Sequence, residues 1–447
     1  MLACGFGLGI AVMAELLGIG DVILDQARSP TLQGGGDVIV SGAFGTVDNA
    51  RYVLSVVRGT LGARSPIVAA SPSHKQSLYL IKPGMVVPFV ARGGVPSLEK
   101  AVGDGEVAGM TGWVDAPGDA RWTHVDAGDV LRSLDRFHRP PDVAEFSASW
   151  AEWLYFNGRS ADGRVRFYLT FLVGPATRPG VRSAGVRLQL DRDGRVKNYA
   201  ARAEVDEQAV IEGAPNLDIG SNHVRLDGLR YVIGLRLRAE DDGSEIAGTL
   251  TLDPDAGRSL PPVEIRGARR WLSGYVVPVL SGQISGAFTV GRATISLQGA
   301  TGYHDHNWGF WRDVRWQWGQ VGSGDVSLVY GRVLPPADVA DPDRMPGFLG
   351  VLDRQGLIGV ATNVSIAEER SAGLLTAITV TARGNALDLH LTLSVDRTVR
   401  TGRVMSGSIT DFLQLGGTYH VEGRAGGRAI NFTARGAAET FQPRPNR

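Results

Sequence analysis

Short β-branched and aromatic runs, each ended by tight-turn residues, follow one another from Ser147 onward. This punctuation narrows the fold more than any other feature of the chain. Arg164–Val173 (RVRFYLTFLV) reads as a strand. Gly185–Leu190 and Arg195–Val205 flank Asp191-Arg192-Asp193-Gly194, and Tyr231–Ala239 and Glu245–Leu252 flank Asp241-Asp242-Gly243; both are hairpin signals. Ala293–Leu297, Ser327–Leu334, Phe348–Leu352, Leu357–Asn363, Leu374–Ala382, Leu387–Val395, Tyr419–Arg424 and Ala429–Arg435 continue the pattern. Helical periodicity over more than about ten residues is absent after position 160. The fold is expected to be mainly β and antiparallel. The runs are too many for one barrel of about eight strands. Two tandem antiparallel barrels are expected, over 145–265 and 266–442, divided near Asp253-Pro254-Asp255 and Pro261-Pro262. A barrel of this size can enclose one small ligand.

Residues 25–140 read as a small mixed α/β region. Asp37–Ser41 is β-rich, and Asp48–Arg58 has a cap residue and helical spacing. Gln76–Ile81 and Met85–Val90 read as strands around the Lys82-Pro83-Gly84 turn, and Ser97–Val102 suits a short helix. The stretch GAFG at Gly42 to Gly45 is no dinucleotide fingerprint, because Val40 sits where a further glycine is needed. Residues 1–24 form an apolar segment interrupted by Glu15, with no positive charge before Arg28. They fit neither a transmembrane helix of roughly 20 apolar residues nor a signal peptide with a basic leader. Three readings stay open: an atypical export signal or anchor, the end of a membrane helix from a longer reading frame, and an ordinary buried helix. The first two imply a membrane-associated or periplasmic location; the third leaves the cytoplasmic face open.

Composition removes several classes of function. Lys+Arg and Asp+Glu are both 46, so neither a basic nucleic-acid-binding protein nor an acidic tail is expected. An apolar fraction of 43% supplies enough surface for a core and excludes disorder throughout the chain. The single cysteine, Cys4, rules out an intrachain disulfide framework and a cysteine-clustered metal site.

Two clusters carry chemistry. In Tyr303-His304-Asp305-His306-Asn307-Trp308, an extended backbone would put His304, His306 and Trp308 on one face and Tyr303, Asp305 and Asn307 on the other. Trp308, Trp311, Trp316 and Trp318 crowd the same stretch. A polar network plugging a barrel end is the plain reading. A metal site lacks a third convincing histidine, and a serine hydrolase lacks its nucleophile motif. No metal is therefore expected. The second cluster, Trp150-Ala151-Glu152-Trp153-Leu154-Tyr155-Phe156, sets a carboxylate among large aromatics, where it needs a partner or a raised pKa. An arginine from the other sheet is one such partner.

EWLYFNG followed by RFYLTFLVG, and GYHDHNWG followed by RWQWGQV and DVSLVYGRV, resemble the two barrel-opening motifs of the AttH/hydroxyneurosporene-synthase superfamily. The HDHNWG form is similar to acyclic carotenoid 1,2-hydratases. The resemblance covers about residues 145–442; Leu154 stands where the family commonly has a second Trp. It implies two lipocalin-like barrels and a cofactor-free hydro-lyase that adds water to a C=C bond of an acyclic carotenoid or related isoprenoid. Asp305 is then the first candidate acid, with His304 or His306 as imidazolium second. His306 and Trp308 match the motif's His-x-Trp pair, and Tyr330 joins them as a catalytic candidate. Tyr303, Trp316, Trp318, Glu152, Trp153 and Tyr155 are the expected substrate-binding residues. Protonating an alkene demands a carboxyl kept neutral by burial and aromatic faces that tolerate a cation. The alternative is a noncatalytic lipocalin-like carrier or sensor of a hydrophobic ligand, accessory to a membrane transport system.

Overall fold

The computed structural model describes residues 38–40, 50–59, 67–83, 85–103, 107, 109–255, 257, 259–384, 386–405 and 408–443. The apolar segment 1–24 and the GAFG stretch lie outside them. The chain forms two compact units, Met1–Val130 and Leu131–Arg447. The first holds a helix at Ala50–Gly59, an antiparallel hairpin of Ser73–Lys82 with Met85–Gly94, and a helix at Pro96–Val102. Leu54, Val95 and Leu98 make its small core. These elements agree with the mixed reading of this region, whereas residues 38–40 of the expected first strand are irregular. No described helix is long and apolar enough to cross a membrane.

The second unit is antiparallel and almost free of helix. An eight-strand closed barrel comes first. Its strands are β1 (Trp150–Arg159), β2 (Val165–Arg178), β3 (Val181–Arg192), β4 (Arg195–Asp206), β5 (Arg230–Ala239), β6 (Glu245–Pro254), β7 (Leu272–Val290) and β8 (Ala300–Phe310). The order is β6-β7-β8-β1-β2-β3-β4-β5, and β5 pairs with β6 to close the ring. Alternation decides which side is inside. On β2, Val165, Phe167, Leu169, Phe171 and Val173 are buried, with less buried residues between them. Phe156, Phe167, Phe171, Phe288 and Tyr231 fill the interior.

A nine-strand curled sheet follows, with order β12-β11-β10-β9-β17-β16-β15-β14-β13. Its strands are β9 (Arg315–Ser323), β10 (Val326–Leu334), β11 (Phe348–Asp353), β12 (Gly356–Ala361), β13 (Asn363–Ser371), β14 (Leu374–Gly384), β15 (Leu387–Met405), β16 (Ser408–Ala425) and β17 (Arg428–Pro443). It is a half-barrel around Tyr330, Leu349, Val380, Leu391, Leu415 and Val421.

The division expected at 265/266 falls elsewhere. β7 and β8 lie beyond it, yet β7 pairs with β6 and β8 pairs with both β7 and β1. The first barrel therefore runs to Phe310, and GYHDHNWG closes it rather than opening the second sheet. The prolines near 254–262 mark only an interruption: the short strand beyond them, Leu260–Arg266, continues along β7 in the same direction as β6. Turn residues show where a strand is broken, not which sheet the chain rejoins.

Candidate functional site

Strand β8 carries the histidine-rich motif, and its pleat splits the motif as the alternation predicts. His304, His306 and Trp308 face into the first barrel. Tyr303, Asp305 and Asn307 face outward, into the seam between barrel and half-barrel. One glycine lets Trp308 fit, and a second lets the strand beyond it pass close to the backbone of β7. Gly274 stands opposite it on β7, where a Cβ would lie 2.0 Å from the indole. Gly309 has φ +144°, a region side chains avoid.

On the inner face, His306 is clamped between two carboxylates. Its Nδ1 lies 2.9 Å from Asp135 Oδ1 and its Nε2 2.9 Å from Glu152 Oε1. Carboxylates only accept, so both ring nitrogens must donate, and the ring is an imidazolium. Burial opposes that charge, but its hydrogen bonds to the two carboxylates win and lift its pKa to about 9. His304 sits on the stacked ring of Phe156, with centroids 4.1 Å apart. Its two nitrogens face the Tyr155 carbonyl and Asp135 Oδ2, each at 2.9 Å. The Tyr231 hydroxyl also donates to Asp135, at 2.9 Å. Burial alone would raise the pKa of Asp135, but the two histidines hold it at about 2. Glu152 likewise resists burial: His138 and His306 keep its pKa below the usual value. It accepts from His138 Nδ1 at 2.7 Å and from the His138 backbone N–H at 3.0 Å. The His138 ring then stacks on Trp308, with centroids 4.1 Å apart.

His138, Glu152 and His306 gather three potential metal-ligand atoms. The 2.7 and 2.9 Å separations to the shared carboxylate oxygen are those of hydrogen bonds. The network sets a pH dependence of stability. His306, raised from 6.5, contributes fully below about 6.5 and loses that contribution as pH rises through about 9. The seam carboxyls Asp305 and Glu439, also raised, act in the same sense. Asp135, lowered from 3.8, contributes above about 3.8 and loses it as pH falls through about 2. Urea unfolding should therefore give a larger free energy at about pH 5 than at about pH 9. Equal or greater stability at the alkaline end would contradict this electrostatic account.

The outer face is different in kind. Asp305 is fully enclosed: Tyr303 Oη lies 2.8 Å from Oδ2, and Asn307 donates to Oδ1 at 2.7 Å. No cation pairs with it among the described residues. Burial pushes its carboxyl well above the usual range, and the nearby Glu439 adds to the rise. A chain of hydroxyls runs onward, from Tyr303 to Tyr275 at 2.7 Å, where the Trp318 indole N–H donates at 3.1 Å. Glu439, also raised by burial, accepts from Tyr155 at 3.1 Å and from Trp316 at 3.0 Å. Tyr155, Tyr303, Trp318, Leu280 and Val329 form the apolar body of the seam, with Trp153, Tyr168 and Trp316 packed against it.

The predicted residues thus fall into three places. Asp305, Tyr303, Tyr155, Trp153, Trp316 and Trp318 meet in the seam. His304, His306, Trp308 and Glu152 meet inside the barrel, on the other side of the β8 backbone from Asp305. Glu152 takes histidines there rather than an arginine. Tyr330 joins neither group; it bonds Tyr419 at 3.0 Å in the core of the half-barrel. Of the two residues expected to share one apolar face with His306 and Trp308, Glu152 or Tyr155, it is Glu152 that joins them inside the barrel. His306 is sealed from solvent, and Tyr155 points into the seam. Asp135, His138, Tyr231, Tyr275 and Glu439 are participants that the sequence did not single out.

No protein-family model and no curated protein sequence matches this chain. Solved structures are similar to it. A Nitrosomonas europaea protein assigned as an AttH is 18% identical, with 68% of this chain and 96% of that chain covered and a TM-score of 0.45. CghA in complex with Sch210972 is 11% identical, covering 69% and 94%, with a TM-score of 0.43. Kievitone hydratase from Nectria haematococca is 12% identical, covering 66% and 89%, with a TM-score of 0.42.

Proposed function

We propose that the chain is a cofactor-independent hydro-lyase that adds water to a C=C bond of a hydrophobic isoprenoid, such as an acyclic carotenoid, held in the seam. One observation carries this reading: Asp305 is a buried carboxyl with a raised pKa, set among aromatic faces and tied to a hydroxyl chain. The step balances without a cofactor. The neutral carboxyl gives its proton to the less substituted alkene carbon, the π pair forms the C–H bond, and a tertiary cation is left. Water attacks that cation, a C–O bond forms, and the oxonium proton returns to the Asp305 carboxylate directly or through Tyr303 and Tyr275. Tyr155, Trp316 and Trp318 offer faces that stabilise a cation by about 0.5–2 kcal/mol each without trapping it. His304 and His306 take no part, since their protons are held by Asp135, Glu152 and a backbone carbonyl on the far side of the strand.

The carrier or sensor reading keeps one observation in its favour. Both Asp305 oxygens are already engaged by protein groups, which suits a purely structural carboxyl. Turnover separates the two. Incubation with an acyclic isoprenoid bearing a terminal trisubstituted C=C, in H2-18O and without added cofactor, should yield a tertiary alcohol carrying one labelled oxygen. Reversible binding with no labelled alcohol would leave the carrier reading standing and overturn the hydro-lyase.

A further inference from the structure

At one end of the seam lies a cavity of about 250 Å³ that the reaction above does not use. Leu280, Tyr168 and Ala437, which belong to or pack against the aromatic cluster, form part of its wall. The rest is polar, and its charge is unbalanced. Arg159 and Arg166 stand directly opposite each other on β1 and β2, and both line it. Neither has an ion-pair partner among the described residues. Arg166 Nε is buried with no hydrogen bond, and so is Nδ2 of Asn157, a residue only 7% exposed. Arg435, a third lining cation, is already held by Asp396, and Arg397 nearby is held by Asp191 at 2.7 Å. The cavity's own acid, Asp255, accepts from Ser281 at 2.6 Å.

Two unpaired guanidiniums and an unsatisfied amide N–H around one cavity are costly unless something accepts from them. Burial depresses the pKa values of Arg159 and Arg166; repulsion from Arg166 and Arg435 adds to this at Arg159, and at Arg166 the influence of Tyr168 and Asp396 offsets it only in part. The two buried unsatisfied atoms at the cavity, Arg166 Nε and Asn157 Nδ2, are both donors, and guanidiniums match oxyanions in a two-point geometry. We propose that this cavity is an oxyanion subsite that takes the carboxylate or phosphate head of the molecule whose apolar chain lies in the seam. Asn157 stands opposite Tyr303 in the β1–β8 ladder, and Tyr303 touches Asp305. A head group here would leave the reacting C=C about 7 Å or more along the strands, next to the acid. This inference rests on the hydro-lyase reading and narrows its isoprenoid substrate to one with an anionic head, setting aside the neutral carotenoid hydrocarbon.

Isothermal titration of the full chain with geranic acid, geranyl monophosphate and geraniol tests it. At least one of the two anions should bind ten-fold or more tightly than the alcohol, and the preference should weaken with added salt. Comparing the two anions identifies the head group. Arg166→Gln should bring the anions to within about two-fold of geraniol while leaving geraniol affinity unchanged. Arg159→Met, with thermal melting on both variants, guards against a folding defect in either. Equal binding of the alcohol and both anions by the unaltered protein would overturn the subsite and leave the seam reading intact. Failure of all three to bind would overturn both. Anion preference that survives in both folded arginine variants would also overturn the subsite.

Discussion

Asp305→Asn is expected to lower hydration of an acyclic isoprenoid by about 10²-fold or more, within the range that general acids contribute. The substitution is close to neutral for the fold if Asp305 is uncharged, as its burial implies. An amide N–H can take the place of the acid O–H toward Tyr303, and the amide oxygen can still accept from Asn307. Thermal stability should therefore change little. If Asp305 were instead an ionised structural acceptor, the variant should lose about 1–3 kcal/mol of stability. Melting and turnover measured on one preparation decide the matter. A stable variant with full activity would remove Asp305 as the acid and leave Glu439 as the next buried carboxyl.

The opposite pattern is expected on the other face of the same strand. Asp135→Ala leaves His304 and His306 buried without the carboxylate that both donate to. It should cost about 3–5 kcal/mol, as removing one partner of a buried charge pair does. Hydration per folded molecule should hold, because the network is walled off from the seam by β8. Urea unfolding of Asp135→Ala beside wild type measures the loss. A cost under about 1 kcal/mol would mean that His306 is neutral and its clamp electrostatically idle. The two variants form a crossed pair: one removes activity and spares the fold, the other weakens the fold and spares activity.

Alternation made much of this visible in advance. A period-two strand through HDHNW separates His306 from Asp305 whatever the tertiary partners, and the ladder with β1 bears that out. Glu152 was legible as a buried acid in need of a partner, since four aromatic residues lie within four positions of it. The partner was not legible. Asp135 and His138 lie in RSLDRFHRPP, which reads as a charged connector, and Asp135 meets His304 across a separation of 169 residues. Only Leu134 and Phe137, both buried beside it, hint that this segment enters a core. Glu439 was hidden in the same way: on an isolated strand an acidic residue looks solvated, and only the packed seam buries it. The barrel boundary failed for a related reason, since closure depends on which distant strands pair.

That closure has a kinetic side. β1 finds its second neighbour only in β8, with Trp150 opposite Phe310 and Arg159 opposite Thr301. Contacts so distant along a chain form late, after the cost of closing a long loop has been met. During synthesis, β1 to β7 emerge as a ladder with two open edges until residue 310 leaves the ribosome, and open edges invite pairing with other chains. Asp135 meanwhile waits in water, unable to be buried before its histidines arrive. The nascent chain is therefore most in need of shielding while the interval between β1 and β8 is being made, well before the half-barrel exists.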